Sequence, residues 1–290
     1  MTSLPPPDVA PAPAAPRPAT GAPADERRGA GGWPPWIGPA ALVSAFAAIT
    51  IFGGIIIFAW NSDGGDIPPG ALQLTTYLQD AFFVAAALLF AGFTSRPIAA
   101  DFGLVPTRFW RALGLTIAVG VGFYVLSAIW IAAIGAEAKD DVSDLGVQDT
   151  TLLLVTGAIL LTVLAPLCEE ILFRGLVFRA LRNWQNMWPA ALMTGALFGL
   201  IHAGSSPIAF LVPLAFFGVG LCLLYEKTGS LYPCIALHAA NNTLAFGVLV
   251  EWDWQIPPAI VGAVLAALAI ARLLARFVGD GRAALPARAG

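Results

Sequence analysis

Long runs of apolar residues, separated by short polar or glycine- and proline-containing breaks, make up the chain from Ile37 onward. A helix needs about 20 residues to cross the hydrocarbon core of a bilayer, and most of the runs have about that length. The pattern predicts an all-α, polytopic membrane protein, a bundle of eight transmembrane helices. The predicted helices run from 37 to 60, 71 to 93, 112 to 135, 151 to 173, 189 to 206, 208 to 225, 231 to 250 and 256 to 276.

The two ends of the chain lack this pattern. Residues 1–36 hold 10 of the 23 prolines together with many alanines. Such a segment cannot bury enough apolar surface to fold, so we predict a disordered cytoplasmic tail there. The transmembrane domain is predicted over 37–277 and a second cytoplasmic tail over 278–290.

Composition supports a protein that faces lipid. Hydrophobic residues make up 58% of the chain and charged residues 11%, whereas soluble domains carry about 25% charged residues. A soluble enzyme and a disordered chain are therefore excluded. The net charge of -3 gives no basic field for nucleic acid, so the lipid bilayer is the expected partner and nucleic acid is not.

The basic residues predict the orientation. With eight crossings and an inside amino terminus, 14 of the 15 lysines and arginines fall in cytoplasmic segments, and Lys139 alone falls outside. Cytoplasmic loops of membrane proteins carry the excess of Lys and Arg, so both termini are predicted to be cytoplasmic. The abundance of Ala, Gly, Pro and Arg is typical of a GC-rich bacterial genome, which predicts a bacterial plasma membrane.

Ionisable side chains inside the predicted membrane helices are the candidates for chemistry, because each costs several kcal/mol unless it is paired or solvated. A single membrane histidine most often makes a helix-to-helix hydrogen bond. Here both histidines of the chain accompany a pair of adjacent acids, which favours a functional site. The candidates lie in three helices: Glu169, Glu170 and Arg174 in the fourth, Phe198 and His202 in the fifth, and His238 and Asn242 in the seventh.

Spacing along the fourth helix suggests different roles for the two acids. Glu170 and Arg174 are four residues apart, so they share a helix face and can form an ion pair, while Glu169 points about 100° away. Two neighbouring carboxylates in a low-dielectric site resist ionising together, and Arg174 should hold the negative charge on Glu170. Glu169 is then left to act as a general base or acid.

His238 and Asn242 are also four residues apart, so both side chains project from one stripe of the seventh helix. Two hydrogen-bonding groups held on one rigid helix can stabilise an oxyanion, because that task needs donors that are in place before the charge develops.

These motifs, in this order and on separate helices, resemble the CAAX-processing and bacteriocin-processing intramembrane protease family. This is the CPBP family, also called Abi and typified by the type II CAAX prenyl endopeptidase. The resemblance covers residues 150–250. It implies an intramembrane endopeptidase that hydrolyses a peptide bond of a membrane-associated protein or peptide, including lipid-modified ones.

The resemblance also implies roles for individual residues. In the family, the first Glu and the His of the second motif activate the attacking water, which corresponds here to Glu169 with His202. The His and Asn of the third motif hold the oxyanion, which corresponds to His238 with Asn242. Three residues match the remaining motif positions and are expected to support the site: Glu170, Arg174 and Phe198.

Metal dependence stays open at this point, because the family has been described both as metal-dependent and as glutamate-based. Neither histidine belongs to an HExxH motif, but Glu169, His202 and His238 offer ligand types that Zn²⁺ accepts. Asn242 is a poor zinc ligand and a good hydrogen-bond donor, which favours the metal-free version.

Two other classes of function compete with the protease. A proton-coupled transporter also needs acids and histidines inside the membrane, spread along a route that includes Gln79 and Asp80 in the second helix. A non-catalytic membrane scaffold of the same family is the other alternative, although such a scaffold is expected to have lost a motif residue, and none is missing here.

Overall fold

The computed structural model describes residues 32–61, 65–135 and 143–279. These residues are 79% helical and contain no β-strand, which confirms the all-α prediction. Two short 3₁₀ turns, Ala99–Phe102 and Ser143–Leu145, lie in the connections. Eight longer helices occur in the described part of the chain: α1 Ile37–Trp60, α2 Pro69–Ala91, α3 Phe109–Ile134, α4 Thr151–Arg182, α5 Met187–Leu200, α6 Ile208–Thr228, α7 Tyr232–Leu249 and α8 Ile256–Val278.

Six of these helices, all except α5 and α7, are long and apolar enough to cross a membrane, judged over the described residues. The chain is therefore an integral membrane protein. Helix α5 has 14 residues, and at 1.5 Å per residue it spans about 21 Å, less than the hydrocarbon core. Helix α7 carries His238, Asn241 and Asn242. The eight predicted helices are present, but fewer of them are clear spans than the sequence suggested.

Two predicted boundaries were wrong. Helix α4 continues to Arg182 instead of ending near 173, because the ion pair of Arg174 lets a charged residue stay inside the helix. Helix α5 ends at Leu200, so His202 lies in the turn that follows it and not inside a membrane helix. The turn contains Gly204 at φ +99°, a backbone conformation that favours glycine and ends a helix.

Helix α4 lies at the centre of the bundle and contacts α1, α2, α5 and α7. Every residue from 165 to 178 is buried. The outer helices differ, since large apolar side chains such as Phe58, Trp110 and Phe277 are exposed on α1, α3 and α8. Exposed apolar surface of this extent belongs against lipid. The polar residues of α4 are therefore held away from the acyl chains by the surrounding helices.

Two π-helical stretches of α4, Leu160–Leu164 and Ile171–Phe178, lie on either side of the acid pair. Pro166 explains the first, because a proline cannot donate to the carbonyl four residues earlier and its ring pushes that carbonyl away. Nothing in the sequence of the second stretch explains its geometry. Wide turns of this kind are frequent at functional sites, and here they leave the acids in a short α-helical segment between them.

Glycines bring α5 and α6 into close contact. A Cβ atom added to Gly218 would come within 2.8 Å of the Cα atom of Gly195. Small residues that let helix backbones approach are typical of membrane helix interfaces. This contact sets the position of the Gly218 carbonyl, which takes part in the site described below.

The predicted tails lie mostly outside the described residues, which begin at Gly32 and end at Gly279. Trp33, assigned to the first tail by the sequence, is buried against Phe102 with their ring centroids 5.4 Å apart. Its carbonyl accepts a hydrogen bond of 3.0 Å from the amide of Asn183. Residue Lys139 also lies outside the described part of the chain.

Candidate active site

The acid pair of α4 is buried together with its arginine. Glu170 and Arg174 form the predicted ion pair, with Oε1 and Nη1 2.8 Å apart and both side chains fully buried. Nη2 of Arg174 donates to the carbonyl of Gly218 on α6 at 3.1 Å. The guanidinium also lies over the ring of Phe198, with its carbon 4.5 Å from the centroid. Contacts from three helices thus fix this cation and, through it, the Glu170 carboxylate.

His238 on α7 lies between the two acids. Its Nδ1 is 2.8 Å from Oε1 of Glu170, and its Nε2 is 3.8 Å from Oε2 of Glu169. Because Arg174 holds Glu170 as a carboxylate, which can only accept, Nδ1 of His238 carries the hydrogen and donates it. The Nε2 atom is then directed at Glu169, whose Oε2 has no hydrogen-bond partner among the described residues.

Aromatic rings enclose the imidazole of His238. The ring of Phe217 on α6 meets it edge-on, with centroids 5.3 Å apart, and the ring of Phe198 lies at 5.7 Å. Edge-to-face contacts of this kind are favourable and directional. They hold the histidine in the orientation that its two carboxylate neighbours require.

His202 reaches the same cluster through Phe198. The two rings have centroids 5.1 Å apart, so Phe198 contacts both histidines. The Nδ1 atom of His202 lies 2.8 Å from the carbonyl oxygen of Phe198. A carbonyl can only accept, so Nδ1 carries the hydrogen, and Nε2 of the neutral ring keeps the lone pair that a base needs.

Asn242 lies one turn after His238 on α7 and faces α4. Its Nδ2 donates to the carbonyl of Leu161 at 3.0 Å, in the first π-helical stretch. Its Oδ1 accepts from Asn241 at 3.3 Å, and Asn241 in turn accepts from the Tyr124 hydroxyl at 2.8 Å. An amide nitrogen has two hydrogens, so the contact with Leu161 orients the group and leaves one hydrogen for another acceptor.

The structure adds residues that the sequence did not assign to the site. Phe217 and Gly218 gave no signal, because a phenylalanine and a glycine are ordinary in an apolar helix. Asp80 did give one, as an acid inside a predicted span, but from the sequence it fits only the route of the transporter alternative. It is buried on α2, and it interacts electrostatically with Glu169.

The donor set does not fit a bound metal. No group of three or more His, Cys, Asp or Glu side chains within the described ranges is arranged to hold a metal ion. The Zn²⁺ ligands suggested from the sequence, Glu169, His202 and His238, are therefore not arranged as such a set, and we route no step of the reaction through a metal.

Fold and site together define a polytopic α-helical membrane protein with an acid and imidazole cluster buried in its bundle and a carboxamide one helical turn from that imidazole. Residues 151–244, which hold all three motifs, match the type II CAAX prenyl endopeptidase Rce1-like family. This match confirms the family resemblance drawn from the motifs.

Two curated proteins share part of the sequence. The chain is 27% identical over 135 residues to a Bacillus subtilis (strain 168) protein named "Putative membrane peptidase YdiL", which covers 46% of this chain and 53% of that protein. It is 34% identical over 105 residues to an uncharacterized 24.3 kDa protein of Escherichia coli, covering 35% and 46% respectively. The chain thus spans about half the length of the curated relatives it matches. No solved structure matches it significantly.

Proposed function

We propose that the protein is an intramembrane endopeptidase that hydrolyses a peptide bond of a membrane-associated protein or peptide with an activated water. The observation that carries the proposal is the buried Oε2 of Glu169, which has no hydrogen-bond partner among the described residues and faces Nε2 of His238 at 3.8 Å. A buried, unsatisfied acid beside an imidazole is costly to keep and is typical of catalytic sites.

In the proposed reaction Glu169, assisted by Nε2 of His202, removes a proton from water as its oxygen attacks the carbonyl carbon. The carbonyl oxygen becomes the oxyanion, which His238 and Asn242 stabilise. When the carbon–nitrogen bond breaks, Glu169 returns the proton to the leaving amine. The products are a carboxyl terminus and an amine, and the site regains its original charge.

The contacts of His238 suit this role. Its Nδ1 hydrogen is committed to Glu170, so the ring can donate to an oxyanion through Nε2 when it is an imidazolium. Glu170 and Arg174 act through His238 by holding its ring, which agrees with the supporting role that the family resemblance implies for them.

The family match and the Bacillus relative support a membrane peptidase in general. Substrates of the proposed enzyme are membrane-bound or lipid-modified peptides, in line with the family description. We also propose the orientation predicted from the basic residues, with both termini cytoplasmic in a bacterial plasma membrane. The catalytic type is proposed to be glutamic, because the donor set does not form a metal site.

The test is cleavage of a peptide library by the purified protein in liposomes, with new termini identified by mass spectrometry. Glu169→Gln should abolish cleavage while substrate still binds. Glu226→Gln is the matched control, because Glu226 pairs with Arg182 at an exposed position on α6, and it should cleave at the wild-type rate. If Glu169→Gln abolishes a proton-driven flux and no cleavage is seen, the protein is a transporter. If neither substitution changes a measured activity, the protein is a scaffold.

The cleavage rate after chelator treatment distinguishes a glutamic from a metal-dependent peptidase. The proposal expects the wild-type rate after treatment with a strong chelator and dialysis. Complete loss of cleavage that returns on adding Zn²⁺ contradicts the metal-free mechanism, while leaving the peptidase proposal intact.

A further inference from the structure

Asp80 is an acid buried in the bundle without an assigned partner. It belongs to α2, which packs against α1 and α4, and the residue is 3% exposed. Neither carboxyl oxygen has a hydrogen-bond partner among the described residues, and none of the salt bridges within those residues includes it. A buried ionised carboxylate without a partner is strongly unfavourable, so the state of this group needs a physical explanation.

The charges around Asp80 leave it without a counter-ion. Arg174 is a cation and Glu170 an anion, and the proposed reaction requires one proton shared by Glu169 and His238. Whether that proton is on the imidazole or on Glu169, these four groups sum to zero charge. The charged group that interacts with Asp80 is Glu169, another acid. An ionised Asp80 would be an extra anion in a site that is already balanced.

A proton on Asp80 removes this imbalance and also changes the hydrogen bonding. Oε2 of Glu169 and both carboxyl oxygens of Asp80 are buried acceptors without donors. A protonated carboxyl group has one O–H donor, and a carboxylic acid that donates to a carboxylate forms a strong hydrogen bond. One added proton therefore turns one of these unpartnered acceptors into a donor.

We propose that Asp80 is a positioning residue of the active site, a neutral carboxylic acid whose O–H group serves as a donor toward Glu169. In this arrangement Asp80 orients the Glu169 carboxylate toward His238 and favours its ionised form, in which it can accept a proton from water. Asp80 acts on the reaction through Glu169. The inference rests on the proposed peptidase function for its kinetic consequence, but not for the protonation state of Asp80.

Two substitutions separate a neutral donor from the alternatives. Asp80→Leu removes the donor and a buried polar group, so the protein should melt at the same temperature or higher. Its kcat should fall about tenfold or more with KM unchanged, the loss expected for a hydrogen bond to a charged group. Asp80→Asn keeps a neutral N–H donor of similar shape and should restore kcat to within about threefold of the wild-type value.

The control is Ser127→Ala on α3, which also removes a buried polar atom that lacks a partner among the described residues but does not belong to the cluster. It should leave kcat and KM unchanged. Equal losses in Asp80→Asn and Asp80→Leu would mean that an ionised carboxylate is required and would overturn the proposal. Full activity in Asp80→Leu would overturn it as well.

Infrared spectroscopy tests the protonation state without an activity assay. The carbonyl stretch of a protonated carboxylic acid is separate from the carboxylate bands, and this signal should be present in the wild-type protein, absent in Asp80→Asn and retained in Glu169→Gln. A spectrum that loses no such signal in Asp80→Asn contradicts the inference. Cleavage that survives Glu169→Gln would instead contradict the proposed function, so the two failures are distinguishable.

Discussion

Oε2 of Glu169 lies 3.8 Å from Nε2 of His238, although the two residues belong to helices that are far apart in the chain. The opposite nitrogen of the same imidazole is hydrogen-bonded to Glu170 at 2.8 Å. One histidine thus contacts both members of the acid pair, each through a different ring nitrogen. This arrangement separates the two acids into one that holds the ring and one that remains available for chemistry.

Breaking the buried ion pair should destabilise the protein strongly. Glu170→Gln leaves Arg174 without its ion partner in a fully buried position, and only a neutral amide oxygen remains to accept the His238 Nδ1 hydrogen. Losing one member of such a pair costs about 3–5 kcal/mol. Glu226→Gln, which breaks an exposed pair, should cost about 1 kcal/mol or less. Unfolding in detergent, followed by circular dichroism, compares the two, and equal stabilities would contradict this account.

Asn242 should matter more for turnover than for substrate binding. Asn242→Ala removes the proposed oxyanion donor, and loss of one such donor lowers kcat by about 10²–10³ with little change in KM. Asn183→Ala provides a chemical match, because Asn183 also donates its amide to a backbone carbonyl but lies beyond the end of α4. Steady-state kinetics of both variants test the assignment. A rise in KM alone for Asn242→Ala would indicate a substrate-binding role.

The close contact between α5 and α6 should tolerate no added methyl group. In Gly218→Ala the new Cβ would lie 2.8 Å from Gly195, and overpacking of this kind costs about 1–3 kcal/mol. It should also displace the carbonyl that accepts from Arg174. Gly122→Ala on α3 has no atom within 4 Å of the added carbon and should be neutral or slightly stabilising. Melting temperatures of the two variants decide, and a stable Gly218→Ala would contradict the packing argument.

The orientation of the chain can be tested independently of activity. Both six and eight crossings place the two termini on the same side of the membrane, and the basic residues predict that this side is the cytoplasm. A single cysteine at Asp149, in the exposed segment before α4, should react with a membrane-impermeant reagent added to intact cells. A cysteine at Arg276, near the end of α8, should react only after lysis. The reverse pattern would contradict the predicted topology.

Much of the fold follows from the sequence, because apolar periodicity and span length decide where membrane helices lie. The helices containing the motifs, and the pairing of Glu170 with Arg174, were predictable from local spacing alone. The end of α5 was not, because an apolar run continues through Ile201 while the turn at Gly204 stops the helix earlier. The sequence predicted that the acid pair and His238 lie near each other, because their motifs were expected to meet in one site. It did not predict that Glu170 contacts Nδ1 and Glu169 faces Nε2, because that arrangement depends on tertiary packing.

Residues that act through packing could not be predicted from the sequence, for a different reason. Phe217 and Gly218 look like any lipid-facing residues until α6 is placed against α4 and α5. Asp80 was visible as an acid within a span, but its relation to Glu169 depends on which face of α2 packs inward. The π-helical stretches of α4 likewise have only one local signal, Pro166.

Cleavage kinetics of Glu169→Gln test the central claim most directly. With one defined peptide substrate in liposomes, the substitution exchanges an oxygen for an amide group and keeps the side chain's shape. The mechanism predicts that turnover disappears while peptide affinity and melting temperature stay close to those of the wild type, and that Glu226→Gln cleaves normally. Wild-type turnover by Glu169→Gln would contradict the assignment of this carboxylate as the group that activates water.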